Sequence, residues 1–362
     1  MRSEEPATTA GIWRCISGLH GIIVRAAYLL APRQVEMREV ERPDAPRGGL
    51  LVRVRAALTD GTDLKAYRRG HPQMPMPTRF GHEFSGDVVA VGNGVRTFST
   101  SDAVMSVHSA PCGQCFWCQS AQEELCRSIM STKILGAYAD YVAIPEHIVR
   151  RNVFKKPASL SYIAAAFLEP LSCVVHSLSL LAPRAKSCLA ILGDGGFGLL
   201  HVLLARARGH KPVVVGRREE RLALARRLGF KHVLSANENV GGYIGKLTEG
   251  RGADGVIECT GTAQAWERAP DYVRRGGTVS FFGGLPQAVR VAFSAARMHY
   301  DEVRFISPFH YTTAAVREAR DLLVSGILDV ERLVSRCFSL DEIGEAFVEL
   351  DRGNGIKYAI EP

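Results

Sequence analysis

The stretch that most constrains this chain is Gly193-Asp194-Gly195-Gly196-Phe197-Gly198, which joins a short apolar run (187–192, SCLAIL) to an apolar helical run (199–207). G-x-G-x-x-G between a strand and a helix has a physical use. Glycines permit a tight turn, and they let the backbone approach a pyrophosphate at the positive end of the helix. The pattern then alternates. Residues 212–215 read as a second strand and 219–228 as a second helix. Further strands are expected at 231–234, 255–259 and 277–282. Strands alternating with helices make a doubly wound parallel sheet, the Rossmann arrangement, with Gly193, Gly195, Gly196 and Gly198 on the cofactor.

The end of the second strand bears on which nicotinamide cofactor binds. An acidic side chain there would hold the ribose diol of NAD and repel a 2′-phosphate. This chain has Gly216 followed by Arg217 and Arg218. A small residue with two guanidinium groups admits and pairs a phosphate, so NADP is expected in preference to NAD.

The N-terminal half reads differently. Residues 50–58 (LLVRVRAAL) alternate apolar with arginine, as a half-buried strand does, and 84–91 and 136–142 also read as strands. Short strands separated by Gly and Pro point to a small β-rich domain. Within it, Cys112, Cys115, Cys118 and Cys126 have the spacing C-x2-C-x2-C-x7-C. Four thiolates so close can enclose one tetrahedral Zn²⁺ and leave no position for water, which makes a structural site.

At 362 residues there is chain enough for two domains. A hydrophobic fraction of 46% and a charged fraction of 23% describe an ordinary globular composition. The net charge of +8 is spread over scattered arginines with no basic stripe interleaved with aromatics, which argues against nucleic acid as a partner. No run approaches the ~20 apolar residues of a membrane span. The nine cysteines, four of them clustered, fit metal binding in a reducing compartment, the cytoplasm, better than a disulfide scaffold.

Asp60-Gly61-Thr62-Asp63 followed by Gly81-His82-Glu83 resembles the catalytic-zinc segment of the medium-chain, zinc-dependent alcohol dehydrogenases, in the branch of sorbitol and threonine dehydrogenases. There the segment opens on cysteine; here Asp60 stands in its place. Leu168-Glu169-Pro170-Leu171 matches the motif whose Glu lies beside that metal, and the four-cysteine run matches the structural-zinc lobe. The resemblance covers residues 24–362. It implies a GroES-like catalytic domain (24–175), a Rossmann domain (176–308) and a return to the catalytic domain (309–362). Residues 1–23 are expected to be a disordered or mis-annotated extension, with translation starting at Val24.

The resemblance also implies a catalytic zinc held by Asp60, His82 and Glu169, with Glu83 as a further ligand or behind them. Carboxylates are harder donors than thiolate and widen the choice to Mn²⁺ or Co²⁺. Cys173 and His176 are expected to be packing residues. Thr62 takes the family's proton-accepting hydroxyl position. The next relay position, usually His, is Lys65, a poor proton acceptor near neutral pH unless its pKa is depressed. The expected activity is zinc-dependent, NADP(H)-linked interconversion of a secondary alcohol, of polyol or sugar type, with its ketone. Two alternatives stand beside it. One is reduction of an activated C=C or carbonyl without catalytic zinc, and the other is a nucleotide-binding protein without catalysis. A homodimer or homotetramer, paired through strands near 277–283, is implied as well.

Overall fold

The computed structural model describes residues 21–72 and 74–362. Most of the expected N-terminal extension, and the start-site question with it, lies outside these residues. The first sheet nevertheless starts just inside that extension. β1 (Ile23–Ala31) and β2 (Gln34–Glu41) form an antiparallel ribbon that begins at Ile23 opposite Glu41.

Six more strands build the rest of the β-rich half: β3 (Leu50–Leu58), β4 (Thr78–Arg79), β5 (Glu83–Val91), β6 (Ala103–Ser106), β7 (Tyr141–Ile144) and β8 (Val153–Lys155). β3 shows why it folds as it does: Val52 and Val54 face inward and are buried, while Arg53 and Arg55 between them are exposed. β7 is shorter than the sequence pattern implies. Its expected first half divides its backbone bonds among three neighbours, the 80–81 segment, β1 and, through the Asp140 carbonyl, Val54 of β3. Gly136 and Ala137 donate to the Gly81 carbonyl, and Tyr138 and Asp140 bond to β1.

The cofactor half is a parallel sheet of β9 (Cys188–Leu192), β10 (Lys211–Gly216), β11 (Val233–Ser235), β12 (Ala253–Glu258), β13 (Val273–Phe281) and β14 (Arg304–Ile306). Its order is β11-β10-β9-β12-β13-β14. The order reverses between β9 and β12, and the crevice beyond the carboxyl ends of these two strands is where such sheets bind ligands. β13 is paired on both sides, by β12 and β14, so among the described residues the edges of the sheet are β11 and β14, and the expected 277–283 segment is not one of them.

The chain then returns. β15 (Val334–Ser339) pairs with β16 (Lys357–Glu361), and β16 runs antiparallel to β3 with Ala359 opposite Leu58. The expected boundary at 175/176 falls inside one helix, Leu168–Leu181, which is buried along nearly its whole length. That helix belongs to a core that also holds Leu58, Met105 and Val107 from the β-rich half and Leu189 and Ile257 from the parallel sheet. One apolar cluster therefore ties the two halves together. Among the described residues no helix is long and apolar enough to cross a membrane.

Candidate metal and cofactor site

Strand register assembles the site. β3 and β5 pair with Leu58 opposite Glu83, so Asp60 and His82 leave the same end of the sheet side by side. Asp60 Oδ2 lies 3.8 Å from His82 Nε2. Asp60 also caps the helix Gly61–Arg69, accepting from the Thr62 N–H at 2.6 Å. One turn on, Asp63 Oδ1 sits 3.2 Å from His82 Nδ1, and its Oδ2 accepts from the Tyr138 hydroxyl at 2.7 Å. Asp63 thus flanks the ring on the side away from Asp60 as a charge contact, since neither Asp63 Oδ1 nor His82 Nδ1 has a hydrogen-bond partner. Tyr138→Phe is expected to destabilise the protein by about 1–3 kcal/mol, because it strips a buried carboxylate of a donor. Urea unfolding monitored by tryptophan fluorescence measures it; an unchanged midpoint would show that Asp63 does not depend on Tyr138.

β16, lying against β3, brings in Lys357. Its ammonium donates to Glu83 Oε2 at 2.5 Å and to the Thr59 carbonyl at 2.7 Å. The β5–β6 register, with Phe84 opposite Ser106, carries on to place His82 opposite His108. The two imidazole rings meet edge to face at 4.9 Å. Glu169, in the first turn of Leu168–Leu181, points its Oε1 to within 3.4 Å of His108 Nδ1. Cys173, one turn further along, donates its thiol to the same oxygen at 3.7 Å.

The donors sort into two groups. Asp60, His82 and Glu83 place ligand atoms within 4.8 Å of one another, and so do His108, Glu169 and His310. The sequence grouped Glu169 with Asp60 and His82; the structure groups it with two histidines that no motif singled out. Lys357 was missed as well. The strand at 84–91 was legible, but β6 was not, nor was the register that sets position 82 against 108 and 357 beside 60. Cys173 and His176 are buried helix residues and appear in neither group.

Electrostatically the pocket is crowded with negative charge. Four carboxyl groups are buried there, Asp60, Asp63, Glu83 and Glu169, against the ammonium of Lys357. Burial pushes Glu169 up to about 7 and Glu83 well above the usual carboxyl range. Burial would lower His82, but Asp63 and the other carboxylates outweigh it and lift the ring to about 10. Burial keeps His108 and His310 neutral, His310 at about 3. Glu83 Oε1 and Glu169 Oε2 are buried with no hydrogen-bond partner.

In the cysteine lobe the four sulfurs also lie within 4.8 Å of one another. The Cys115–Cys118 and Cys112–Cys118 separations are 3.6 and 3.9 Å. Tetrahedral Zn–S bonds of about 2.3 Å require sulfurs about 3.8 Å apart, so the lobe fits that ion. The Cys112 and Gly113 N–H groups each donate to a cysteine sulfur at 3.3 Å. Backbone donors of the same kind, that of Arg127 foremost, lower the Cys115 thiol to about 6.

At the glycine turn, Gly193 has φ 131°. A Cβ on Gly198 would lie 2.0 Å from the Gly193 carbonyl oxygen, so that position admits glycine alone. Cβ atoms on Gly195 and Gly196 would meet nothing closer than 3.9 Å, which leaves open space over the start of the helix Gly196–Ala207 for a phosphate-sized group. Asp194 folds back instead, accepting from the N–H groups of Arg217 and Arg218 at 2.9 and 2.8 Å. It occupies the space a side chain at Gly216 would need: a Cβ there would stand 2.5 Å from Asp194 Oδ2. Arg217 and Arg218 are both exposed, and Arg218 reaches across to the Arg352 carbonyl at 3.3 Å. Lys65, on the helix that Asp60 caps, lies against the loop after β12, its Nζ 3.5 Å from a Cβ built on Gly261.

Comparison with known proteins agrees with this architecture. Residues 196–325 match the family model described as zinc-binding dehydrogenase, and residues 46–157 match the alcohol dehydrogenase GroES-like domain. The L-threonine 3-dehydrogenase of Pyrococcus furiosus is 30% identical over 326 residues, 86% of this chain and 90% of that protein. The sorbitol dehydrogenase of Bacillus subtilis is 29% identical over 331 residues, 89% of this chain and 92% of that one. A zinc-binding dehydrogenase structure from Sinorhizobium meliloti 1021 superposes with a TM-score of 0.84 at 30% identity, covering 94% of this chain and all of that one. The chain belongs to the zinc-binding dehydrogenase family, with an Asp60-His82-Glu83 triad where the family's catalytic-zinc site carries cysteine.

Proposed function

We propose that this protein is an NADP(H)-linked oxidoreductase that passes hydride between the nicotinamide and the carbonyl or alcohol carbon of a small hydroxylated molecule. The observation that carries the reading is the placement of the helix Gly61–Arg69. It begins at the carboxylate pocket with Asp60 and presents Lys65 to the crevice where the parallel sheet would bind its cofactor. NADP is favoured by Gly216 and the exposed Arg217, and the Sinorhizobium relative is described as bound to NADP. Relatives named for sorbitol, L-threonine and D-arabitol phosphate support a hydroxylated substrate. A homodimer or homotetramer in the cytoplasm, with β14 as the edge available for pairing, remains part of this reading.

The pocket fits a divalent cation: the unpartnered Glu83 Oε1 and the excess of buried carboxyl groups both call for one. Asp60, His82 and Glu83 would hold it, as a harder and less zinc-selective set than one with thiolate. When bound, such an ion polarises a substrate oxygen. The residues do the rest. Asp63 and Tyr138 orient His82, Lys357 holds Glu83, and Thr62, bonded to Asp60, offers a hydroxyl for the substrate proton. Lys65, beside Gly261, would meet a cofactor phosphate or ribose.

One observation favours a second reading, reduction of a carbonyl or activated C=C without this ion. Asp60 Oδ2 is already engaged by the helix cap and Glu83 Oε2 by Lys357. The test is turnover of NADPH and NADP, followed at 340 nm, against panels of polyols, ketoses and enones, before and after removal of chelatable metal. Loss of turnover on depletion supports the metal-assisted reading. Turnover unchanged by depletion selects the second, and no turnover with any panel sinks both. Asp60→Cys is expected to raise zinc affinity, and it raises activity only under the first reading.

The four-cysteine lobe is proposed as a structural zinc site. Cys115→Ser is expected to remove about one zinc per chain, read by atomic emission, and to open residues 112–126 to protease. Unchanged zinc content would reject the site.

A further inference from the structure

We propose that His108, Glu169 and His310 form a second divalent-cation position beside the Asp60–His82–Glu83 pocket. Their ligand atoms lie within 4.8 Å of one another, and two imidazoles with one carboxylate are a recognised donor set for borderline divalent ions.

The distance between His108 Nδ1 and Glu169 Oε1 decides between a cation and a plain ion pair. It is 3.4 Å. A charge-assisted N–H···O contact closes to about 2.7–2.9 Å. Two donors on one tetrahedral ion, each about 2.1 Å from it, stand about 3.4 Å apart. The observed spacing is long for the pair alone and matches two donors sharing an ion; the Tyr311 hydroxyl stands at the same 3.4 Å from His108 Nδ1 and is the ring's other neighbour there. A second observation is independent of it: Glu169 Oε2, on a side chain 3% exposed, has no partner.

The neighbours hold the set in place. His310 has φ 60°, a left-handed conformation uncommon outside glycine, of the kind retained where surrounding contacts enforce it. Ser109 Oγ sits 2.6 Å from His310 Nε2 and 2.9 Å from the Tyr311 hydroxyl. Such outer contacts orient the ring of a ligating histidine. His108 and His310 meet edge to face at 5.2 Å, and His82 stands on the other side of His108, so the two pockets share a wall. The donor set suits Zn²⁺, Co²⁺ or Fe²⁺ ahead of Mg²⁺ or Ca²⁺.

This site does not depend on the NADP(H) reading, and its test does not use turnover. Full-length protein is depleted of chelatable metal, the zinc kept by the cysteine lobe is counted, and Co²⁺ is titrated with bound metal and visible absorbance recorded. His310→Gln is the main variant because its ring is only half-buried; Glu169→Gln and His108→Gln accompany it, and thermal melts establish folding. We expect His310→Gln to weaken one Co²⁺ at least about tenfold and to abolish its absorption band. His82→Gln is expected to leave that band in place. Cobalt count and spectrum unchanged in His310→Gln, or all chelatable cobalt lost in His82→Gln, would overturn the proposal. Cobalt bound as expected in a protein that turns over no substrate would leave this site standing and remove only the hydride-transfer reading.

Discussion

Lys357→Met is expected to destabilise the metal-depleted protein by about 3–5 kcal/mol. Its melting point should fall by roughly 6–15 °C. Lys357 is 3% exposed and Glu83 is fully buried, so the pair has no water to fall back on. Removing the ammonium leaves Glu83 facing burial first and then the charges of Asp60 and Glu169, all of which raise its pKa. Glu83 therefore takes up a proton in the variant, which moderates the loss. The sign of the pH dependence follows. A carboxyl group protonated in the folded state and ionised in the unfolded state makes the folded state the one that binds more protons, so stability falls as pH rises above the ordinary carboxyl range. The variant should lie closest to wild type at about pH 4–5 and furthest from it at about pH 8. Glu83→Gln in the Lys357→Met background is expected to recover part of the loss, because it removes the buried acid. Calorimetry at several pH values measures all of this. A Lys357→Met protein melting within about 2 °C of wild type at neutral pH would show that the pair contributes little.

The same lysine shows where sequence reading stops. In the sequence it is one residue in a C-terminal strand, and its reach to Glu83, 274 positions away, comes from β16 lying against β3. Features carried by local pattern were legible: the glycine turn, the four-cysteine spacing, the alternation of Leu50–Leu58 and five of the six parallel strands, each within a few residues of its place; the three-residue β14 is too short to show a period and was not expected. These depend on backbone geometry and on a period of two or 3.6, which neighbouring residues encode. The pairing of His108 with His82 and the turn that carries His310 depend on register between segments far apart in the chain, and no local period encodes that. Glu169 sits between the two cases. Its motif was legible and its nearness to the pocket followed, but its histidine partners did not. The strand expected at 136–142 failed for a different reason. Its residues alternate acceptably, but their backbone groups are divided among the 80–81 segment, β1 and β3.

Arg217→Ala is expected to raise KM for NADP about 10–100-fold and to leave KM for NAD within about twofold. That range corresponds to the 1.5–3 kcal/mol of a hydrogen bond to a charged group. Arg217 is exposed at the lip of the crevice, its backbone N–H braced by Asp194, so truncation costs no buried contact. Arg218 provides the contrast. Its guanidinium lies over Gly353 and donates to the Arg352 carbonyl, so Arg218→Ala loosens the seam between the halves and should affect both cofactors. On the proposed reading, a switch from NADP to NAD takes two changes. Gly216→Asp alone would drive its Cβ to within 2.5 Å of Asp194 Oδ2 and bring two carboxylates together. It should disorder the turn and weaken both cofactors. Adding Asp194→Gly clears the space, at the cost of the N–H acceptor that Asp194 supplies to Arg217 and Arg218. The double variant should then prefer NAD, because the new carboxylate can bind a ribose diol and repels a 2′-phosphate. Cofactor titration by quenching of tryptophan fluorescence reads these affinities without a substrate. Equal losses of NAD and NADP affinity in Arg217→Ala would mean that its guanidinium does not meet the 2′-phosphate, and the proposed preference for NADP would lose its main support, because Asp194 already fills the space over Gly216.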